Sequence, residues 1–409
     1  MFIKSSAICT VLLATLVPLA ALAQQKRPSA TPRPPAFNQQ QFDQAAAQAN
    51  QAREAGNLDD AIELYKKAIS LKPKWNEGWW YLATLLYEKD QYADAAKAFN
   101  NAAALNPKVG APIAMLGLCE FRIGEYDNAL VHLVQARKLG IGENLELAKV
   151  MFFHEAMLLT LRGEFEQTER FLNKLSYDNV SNEQLFLAHG LAVMRLPMLP
   201  QQIGATHKDR DMLRRVGYAQ HLLAQLNASD GQREYERWVA DYGKVPGVQY
   251  AYGRFLLYKQ RLDEEATAAF QRELENSPNH ALARLQIAYI KLKNKEPEQG
   301  LKFAEEAVRL NTRMVLGHYI LGRMYLETGD VKRAVEELET SQRMSPDEPK
   351  VYFALSRAYA KVGRQTDAAR ARDTFARLNA AAEAAAAQGQ IKGEAIEETE
   401  EKKPAPVKQ

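Results

Sequence analysis

A spacing of 34 residues recurs at both ends of the chain and constrains the fold more than any other feature. Segments that begin at Ala281, Val315 and Pro349 align at this spacing without gaps. Near the N-terminus the same spacing relates the segment around Ala61 to the one around Ala95, and a third copy follows. A fixed period of this length is typical of repeat proteins. We therefore expect one elongated array of repeated units rather than the two or three ordinary domains that 409 residues suggest.

Each copy contains two helical stretches with apolar periodicity, separated by a turn. Glycine can adopt the left-handed conformation that ends a helix, and a proline such as Pro346 stops the second helix. The turns fall at Gly56, Asp90, Gly124, Gly329 and Gly363. A single helix pair cannot bury its apolar face alone, so neighbouring copies must stack. The pattern predicts an all-α solenoid.

The residues at fixed places within a copy resemble the tetratricopeptide repeat (TPR) family. In the copy that begins at Val315, the signature places hold Leu321, Gly322, Tyr325, Gly329, Ala334, Leu338 and Pro346. Six copies are clear, and a further copy from about Gly247 fits only with one inserted residue. The resemblance implies a right-handed superhelix of stacked antiparallel helix pairs. It also implies that the first helix of each pair lines a concave groove, which binds a protein or peptide partner.

The pattern divides the chain into three parts between its two ends. These are an N-terminal array of three copies at residues 42–143, diverged helical repeats at 144–246 and a C-terminal array of four copies at 247–382. Within the middle part, residues 149–182 still read as a repeat. Residues 183–246 are close to two repeat lengths, which favours two diverged copies. The alternative is a specialised insert that bends the solenoid.

Both ends of the chain differ in composition from the array. Residues 1–23 have Lys4, an apolar stretch and a small-residue cleavage pattern at Ala23, which is typical of a signal peptide. The proline-rich residues 24–41 predict a disordered linker, and residues 383–409 predict a charged disordered tail. We expect a bacterial protein that is periplasmic or secreted after cleavage. The alternative is an uncleaved membrane anchor.

Composition and motifs argue against catalysis and nucleic-acid binding. The net charge is only +3, so no strong field favours nucleic acid. No two of the seven histidines lie three or four residues apart, and His154-Glu155 lacks the second histidine of a zinc protease because Leu158 stands in its place. Phosphate-binding and serine-nucleophile motifs are absent from the sequence. We expect no enzyme activity, no cofactor and no metal.

The C-terminal array carries the candidate binding residues at places five, nine and thirteen of its first helices. Residues four apart share a helix face, so these places form one aromatic and basic groove. Its members are Tyr250, Leu285, Tyr319 and Phe353 at the fifth place, Arg254, Tyr289, Arg323 and Arg357 at the ninth, and Tyr258, Lys293, Glu327 and Lys361 at the thirteenth. Such a groove suits a peptide with acidic groups or a C-terminal carboxylate. Alternatively, the rings pack between copies and the arginines pair with neighbouring glutamates.

The matching groove of the N-terminal array is more apolar and includes Trp80 and Thr84. Of the residues that chaperone-type TPR clamps use to hold a C-terminal carboxylate, only Asn50 has a counterpart here. We therefore predict a non-catalytic scaffold for protein–protein interaction in the bacterial envelope. The alternative is a membrane-tethered accessory subunit of a secretion or polysaccharide-export machine.

Overall fold

The computed structural model describes residues 38–142 and 144–387, and every regular element within these ranges is helical. The described chain divides after Lys74 into two compact units. The signal peptide predicted at residues 1–23, most of the predicted linker and residues 388–409 of the predicted tail lie outside the described ranges. Within those ranges, no helix combines the length and the apolar character that crossing a membrane requires.

The first unit is one helix pair, α1 (Gln39–Glu54) and α2 (Leu58–Leu71). Its helices bury a stripe of alanines, and the Tyr65 hydroxyl donates a hydrogen bond to Asn50 Oδ1 at 2.6 Å. The Asn38 side chain accepts from the Gln41 N–H and caps α1. The helix thus begins at Gln39, two residues before the predicted end of the linker at residue 41.

The second unit continues the pattern of helix pairs joined by short turns. Its helices before the middle of the chain are α3 (Asn76–Glu88), α4 (Tyr92–Leu105), α5 (Gly110–Arg122), α6 (Tyr126–Leu139), α7 (Leu145–Leu161) and α8 (Phe165–Tyr177). In the middle lie α9 (Glu183–Val193), α10 (Arg210–Ala224) and α11 (Ala228–Tyr242). The last part contains α12 (Val248–Phe255), α13 (Asp263–Asn276), α14 (Ala281–Lys293), α15 (Pro297–Leu310), α16 (Val315–Thr328), α17 (Val331–Met344), α18 (Pro349–Lys361) and α19 (Gln365–Ala387). The predicted all-α repeat fold is confirmed.

Residues with positive φ end the first helix of most pairs, as the spacing predicts. Gly56, Gly124, Gly329 and Gly363 have φ values of +75°, +83°, +92° and +80°, and Asp90 has +56°. This left-handed geometry is open to glycine at no steric cost. Side chains on the two helices of each pair then meet, and fully buried residues such as Trp238 fill the space between helices.

Residues 183–246 contain three α-helices, whereas two complete repeats would have four. α10 and α11 form an ordinary pair, but α9 is an additional helix that packs against α8 and α10. Residues 194–209, with a 3₁₀ turn at Pro200–Gln202, connect α9 to α10. The segment therefore combines one repeat with an inserted helix, and so differs from the favoured interpretation of two diverged copies.

The single inserted residue predicted for the copy near Gly247 has a structural counterpart. The first-helix places of α12 and α14 are 35 residues apart, whereas α13 and α15 begin 34 residues apart. A π-helical turn at Leu256–Gln260 follows α12 and ends at Arg261, whose φ is +61°. A π-turn takes up one extra residue inside a helix. The insertion is therefore absorbed before α13, which keeps the register of the other second helices.

The last helix is longer than the repeat requires. α19 continues to Ala387, whereas the spacing predicted that the array ends at residue 382. Within this extension, Asn379 Nδ2 donates to Glu383 Oε1 at 2.8 Å. Alanine is the best helix former, and the alanine-rich sequence from Ala380 onward explains why the helix persists beyond its partner α18. Residues 383–387 belong to α19, although they were predicted to be part of the tail.

Candidate interaction groove

The predicted groove is most open at α18. At the fifth place Leu285 is buried, Tyr319 is half-buried and Phe353 is 51% exposed. First helices contact one another in sequence, α14 with α16 and α16 with α18. No further repeat follows α18 within the described ranges, so nothing comparable covers its face. Phe353, Arg357 and Lys361 are all exposed there, at successive turns of one helix.

An aromatic pair marks the start of this open face. The ring of Phe353 lies 5.4 Å from the ring of Phe375 on α19, centroid to centroid, with the ring planes at 52°. Phe375 is half-buried, whereas the Phe353 ring that packs against it is exposed. Aromatic surface of this kind can receive an apolar side chain of a partner.

The cations next to the rings have partners of their own. Arg357 forms an ion pair with Glu327 at 3.2 Å, and its side chain is 42% exposed. Lys361 Nζ donates to the Leu326 carbonyl at 3.3 Å. The alternative that arginines pair with neighbouring glutamates therefore holds for Arg357. Because an exposed ion pair contributes only about 0–1 kcal/mol, a partner carboxylate could replace Glu327 at little cost.

The two preceding first helices add further cations and rings. Arg323 Nη1 donates to the Tyr319 hydroxyl at 3.4 Å, and its guanidinium lies 5.8 Å from the centre of the Tyr319 ring. Lys293 pairs with Asp263 at 3.0 Å, and Tyr289 is half-buried beside them on α14. The planar face of Arg323 is thus supported by an aromatic ring, which reduces the number of conformations it must lose on binding.

The three candidate residues of α12 and of the π-helical turn that follows it do not line an open surface. Tyr250 is buried, and the Tyr258 hydroxyl donates to Gln286 Oε1 at 2.9 Å. The Arg254 side chain is only 15% exposed and lies 3.6 Å from both Glu166 and Glu169 of α8. α8 thus covers this part of the predicted groove. The predicted groove is therefore reduced to α14, α16 and α18.

The charges around Arg254 form a compensated cluster. Glu166 also pairs with Arg195 at 2.5 Å. Burial alone would raise the pKa of the Glu166 carboxyl, but Arg195 and Arg254 outweigh burial and hold that pKa below its usual range. Sequence reasoning missed Glu166, Glu169 and Arg195, because nothing in a repeat pattern indicates that α8 contacts α12.

Trp80 and Thr84, the candidates in the N-terminal array, also make contacts within the fold. Trp80 is half-buried, with its ring 5.4 Å from that of Phe99 at 68°. The Thr84 hydroxyl donates to the Tyr81 carbonyl at 2.9 Å. In the first unit, Asn50 accepts the hydrogen bond from Tyr65. These contacts give the N-terminal candidates a role in packing.

The groups that could support chemistry are few and separated. Within residues 38–142 and 144–387, no three or more histidine, cysteine, aspartate or glutamate side chains are placed to hold a metal ion. Cys119 is fully buried, and burial raises the pKa of its thiol to about 12. A thiol with such a pKa is protonated at neutral pH and is a poor nucleophile.

Comparison with known proteins gives matches across the repeats. Two tetratricopeptide repeat models match, one at residues 52–117 and the other at 219–281 and 285–349. Anaphase-promoting complex subunit 3 of Schizosaccharomyces pombe is 25% identical over 34% of this chain and 22% of its own length. A TPR repeat-containing protein of Methanocaldococcus jannaschii is 20% identical over 79% of this chain and 53% of its own length. The chain therefore spans about a fifth and about half of these two relatives.

Solved structures that match parts of this chain include MamA from Desulfovibrio magneticus and YrrB, which is described as a TPR protein with an unusual peptide-binding site. MamA is 20% identical and matches 40% of this chain and 92% of its own, with a TM-score of 0.37. YrrB is 15% identical and matches 47% of this chain and 97% of its own, with a TM-score of 0.37.

The helix pairs, the turn residues with positive φ and the signature places agree with the matched repeat models. The chain belongs to the tetratricopeptide repeat family.

Proposed function

We propose that this chain is a non-catalytic scaffold that captures an acidic peptide segment of a partner protein on the face formed by α14, α16 and α18. Tetratricopeptide repeats are protein-interaction modules, and this chain carries them over much of its length. The observation that carries the proposal is the open face of α18, where Phe353, Arg357 and Lys361 lie exposed at successive turns.

The chemistry of this face favours a partner with carboxylates next to an apolar side chain. The Phe353 and Phe375 rings accept the apolar group, while Arg323 and Arg357 can each hold a carboxylate through two N–H groups. Stacked helices present these side chains already ordered, which lowers the entropy cost of binding an extended or helical peptide.

A selection from a random dodecapeptide library tests the proposal. We expect the full chain to enrich peptides in which aspartate or glutamate accompanies an aromatic or aliphatic residue. The double variant Arg323→Glu, Arg357→Glu should bind the same peptides at least about 30-fold more weakly, since each reversal turns attraction into repulsion. Its thermal unfolding should be unchanged, because both side chains are partly or largely exposed.

The matched control reverses two exposed cations on second helices, Lys302→Glu on α15 and Arg343→Glu on α17. The control changes the net charge equally and should retain binding. Equal losses in the two variants would point to a general effect of charge. Undiminished binding by the Arg323→Glu, Arg357→Glu variant would overturn the proposal.

We also propose that the scaffold acts outside the cytoplasm, in the envelope of a bacterium. Support comes from the sequence of residues 1–23 alone, with its apolar stretch and cleavage pattern. Fractionation of cells that express the full chain, followed by N-terminal sequencing, decides the matter. Export predicts a soluble protein that begins at Gln24. A protein that begins at Met1 in the membrane fraction would support the tethered accessory subunit instead.

A further inference from the structure

Two histidines are buried where the inserted helix α9 meets its neighbours. His189 lies on α9 with no exposed surface, and His221 lies on α10 with 3% exposure. The Nδ1 atoms of both rings are buried without a hydrogen-bond partner. Such orphaned nitrogens are rare in protein interiors, and each calls for an explanation.

The surroundings of His189 disfavour a charged ring. Its Nε2 lies 2.9 Å from the Ser176 hydroxyl of α8. Both nitrogens of a charged imidazole carry a hydrogen, so the Nδ1 N–H of a protonated His189 would face no acceptor. Burial and the nearby His221 together lower the pKa of His189 to about 3, although the Leu172 carbonyl acts in the opposite direction.

The surroundings of His221 are aromatic and offer no countercharge. Its ring lies 5.0 Å from Phe186 of α9 and 6.4 Å from Tyr218 of α10, centroid to centroid. Burial lowers the pKa of His221. Among the described residues, His221 is the one titratable side chain whose charge lowers the pKa of His189. No carboxylate from α8, α9, α10 or α11 raises the pKa of either histidine.

Gln220 precedes His221 in α10, and the side chains that it bonds to are neutral. Gln220 of α10 donates to Asn173 of α8 at 3.0 Å and accepts from the Tyr235 hydroxyl of α11 at 3.3 Å. These amide and hydroxyl groups bond to one another, so none of them can neutralise an imidazolium. Protonation of either histidine would therefore leave an uncompensated charge in the interior.

The helices α9 and α10 pack too closely for either one to move slightly toward the other. A Cβ atom on Gly217 would overlap the Phe186 carbonyl oxygen, and one on Gly190 would overlap the Leu213 carbonyl oxygen. The two backbones are therefore in direct contact. His189 has no exposed surface, so a charge on its ring can reach water only if the helices around it separate.

We propose that the contact of α9 with α8 and α10 is an acid-sensitive joint, which opens when His189 and His221 take up protons. The helix pairs on either side remain folded, because each repeat depends mainly on its immediate neighbours. Opening changes the connection between the α3–α8 part of this unit and the α10–α19 part.

The pH range follows from the shift at His189. In the open state the ring recovers an ordinary pKa near 6.5, whereas the closed state holds it near 3. The open state therefore binds more protons between these values, so the closed joint is fully stable above pH 6.5 and weakens as the pH falls. From pH 7.5 to 5.0 the opening equilibrium constant should rise about 30-fold through His189 alone.

Hydrogen exchange of the full chain at pH 7.5 and 5.0, corrected for intrinsic rates, tests the joint. We expect protection of α9 amides to fall at least about 30-fold at pH 5.0, while α16 amides stay protected. The variant His189→Leu, His221→Phe should lose this pH dependence. The control His207→Leu alters a half-buried histidine in the connection before α10 and should retain the pH dependence.

Equal corrected protection of α9 at the two pH values would overturn the proposal, as would an unchanged response in the double variant. If the double variant does not fold, an NMR titration of the histidine rings in the unaltered chain decides instead. A His189 ring that protonates near pH 6.5 while α9 stays protected would contradict the joint.

Discussion

Buried carboxylates in this chain are held by specific donors. Arg137 Nε lies 3.1 Å from both oxygens of Glu155, whose side chain is 2% exposed. Glu273 has no exposed surface and accepts from the backbone N–H groups of Gly247 (2.8 Å) and Tyr250 (3.2 Å) at the start of α12. A buried charge is tolerated only with such compensation, so loss of the donor should cost far more than loss of an exposed ion pair.

Replacement of Arg137 tests this argument. Arg137→Met keeps most of the side-chain volume but leaves Glu155 buried without its cation, and we expect a loss of about 3 kcal/mol in the free energy of unfolding at pH 7. Arg162→Met removes an exposed pair with Asp127 and should cost less than about 1 kcal/mol. Urea unfolding followed by circular dichroism measures both changes.

The pH dependence of stability provides a second test of Arg137→Met. Burial raises the pKa of Glu155, and Arg137 counteracts it. Without Arg137 the folded-state pKa rises further above the unfolded value, so the folded state binds the proton more readily. The deficit of Arg137→Met should therefore shrink as the pH falls from 7 to 5. A deficit that grows with acidity, or equal effects of the two variants, would contradict this account.

Two arginines show what the repeat pattern could and could not predict. Arg254 and Arg357 occupy the same place in their copies, and the spacing correctly assigned both to first helices. One is covered by the glutamates of α8, while the other is 42% exposed. Sequence periodicity specifies the place of a residue within its repeat. It does not specify which distant helix packs over that place.

At the scale of single helices, α9 is the element that departs from the repeat. Its closeness to α10 depends on Gly190 and Gly217, since each allows the partner backbone to approach. The sequence pattern predicted turns at Gly124 and Gly329 because they recur at the repeat period. Gly190 and Gly217 have no such period, because they serve one contact that the other copies lack.

Substitution of Gly217 tests the α9–α10 contact directly. We expect Gly217→Ala to reduce the free energy of unfolding by about 3 kcal/mol or more, because the added methyl would overlap a backbone oxygen that cannot move aside alone. Gly204→Ala, in the connection between the two helices, meets no atom within 4 Å and should have almost no effect. Thermal unfolding measures the stability of both variants. An unchanged stability of Gly217→Ala would show that α9 and α10 lie further apart than the structure places them.

At the scale of the whole second unit, the buried side chains of its described residues form three core clusters that follow one another along the chain. The first includes Ile113 and Leu185, the next includes Trp238, and the last includes Met324. Stability in such an array is mainly a sum of contacts between neighbours. A partner that binds α14, α16 and α18 therefore contacts a surface that the last cluster supports, without requiring changes in the earlier pairs.

Site-specific photocrosslinking tests the groove most directly. A benzophenone amino acid replaces Phe353 on α18 in one variant and the exposed Glu336 on the second helix α17 in another. Each full-length variant is irradiated with an acidic dodecapeptide selected on the unaltered chain. We expect adducts from position 353 and at most a trace from position 336. Adducts mainly from position 336, or equal yields from both positions, would contradict binding on the face formed by α14, α16 and α18.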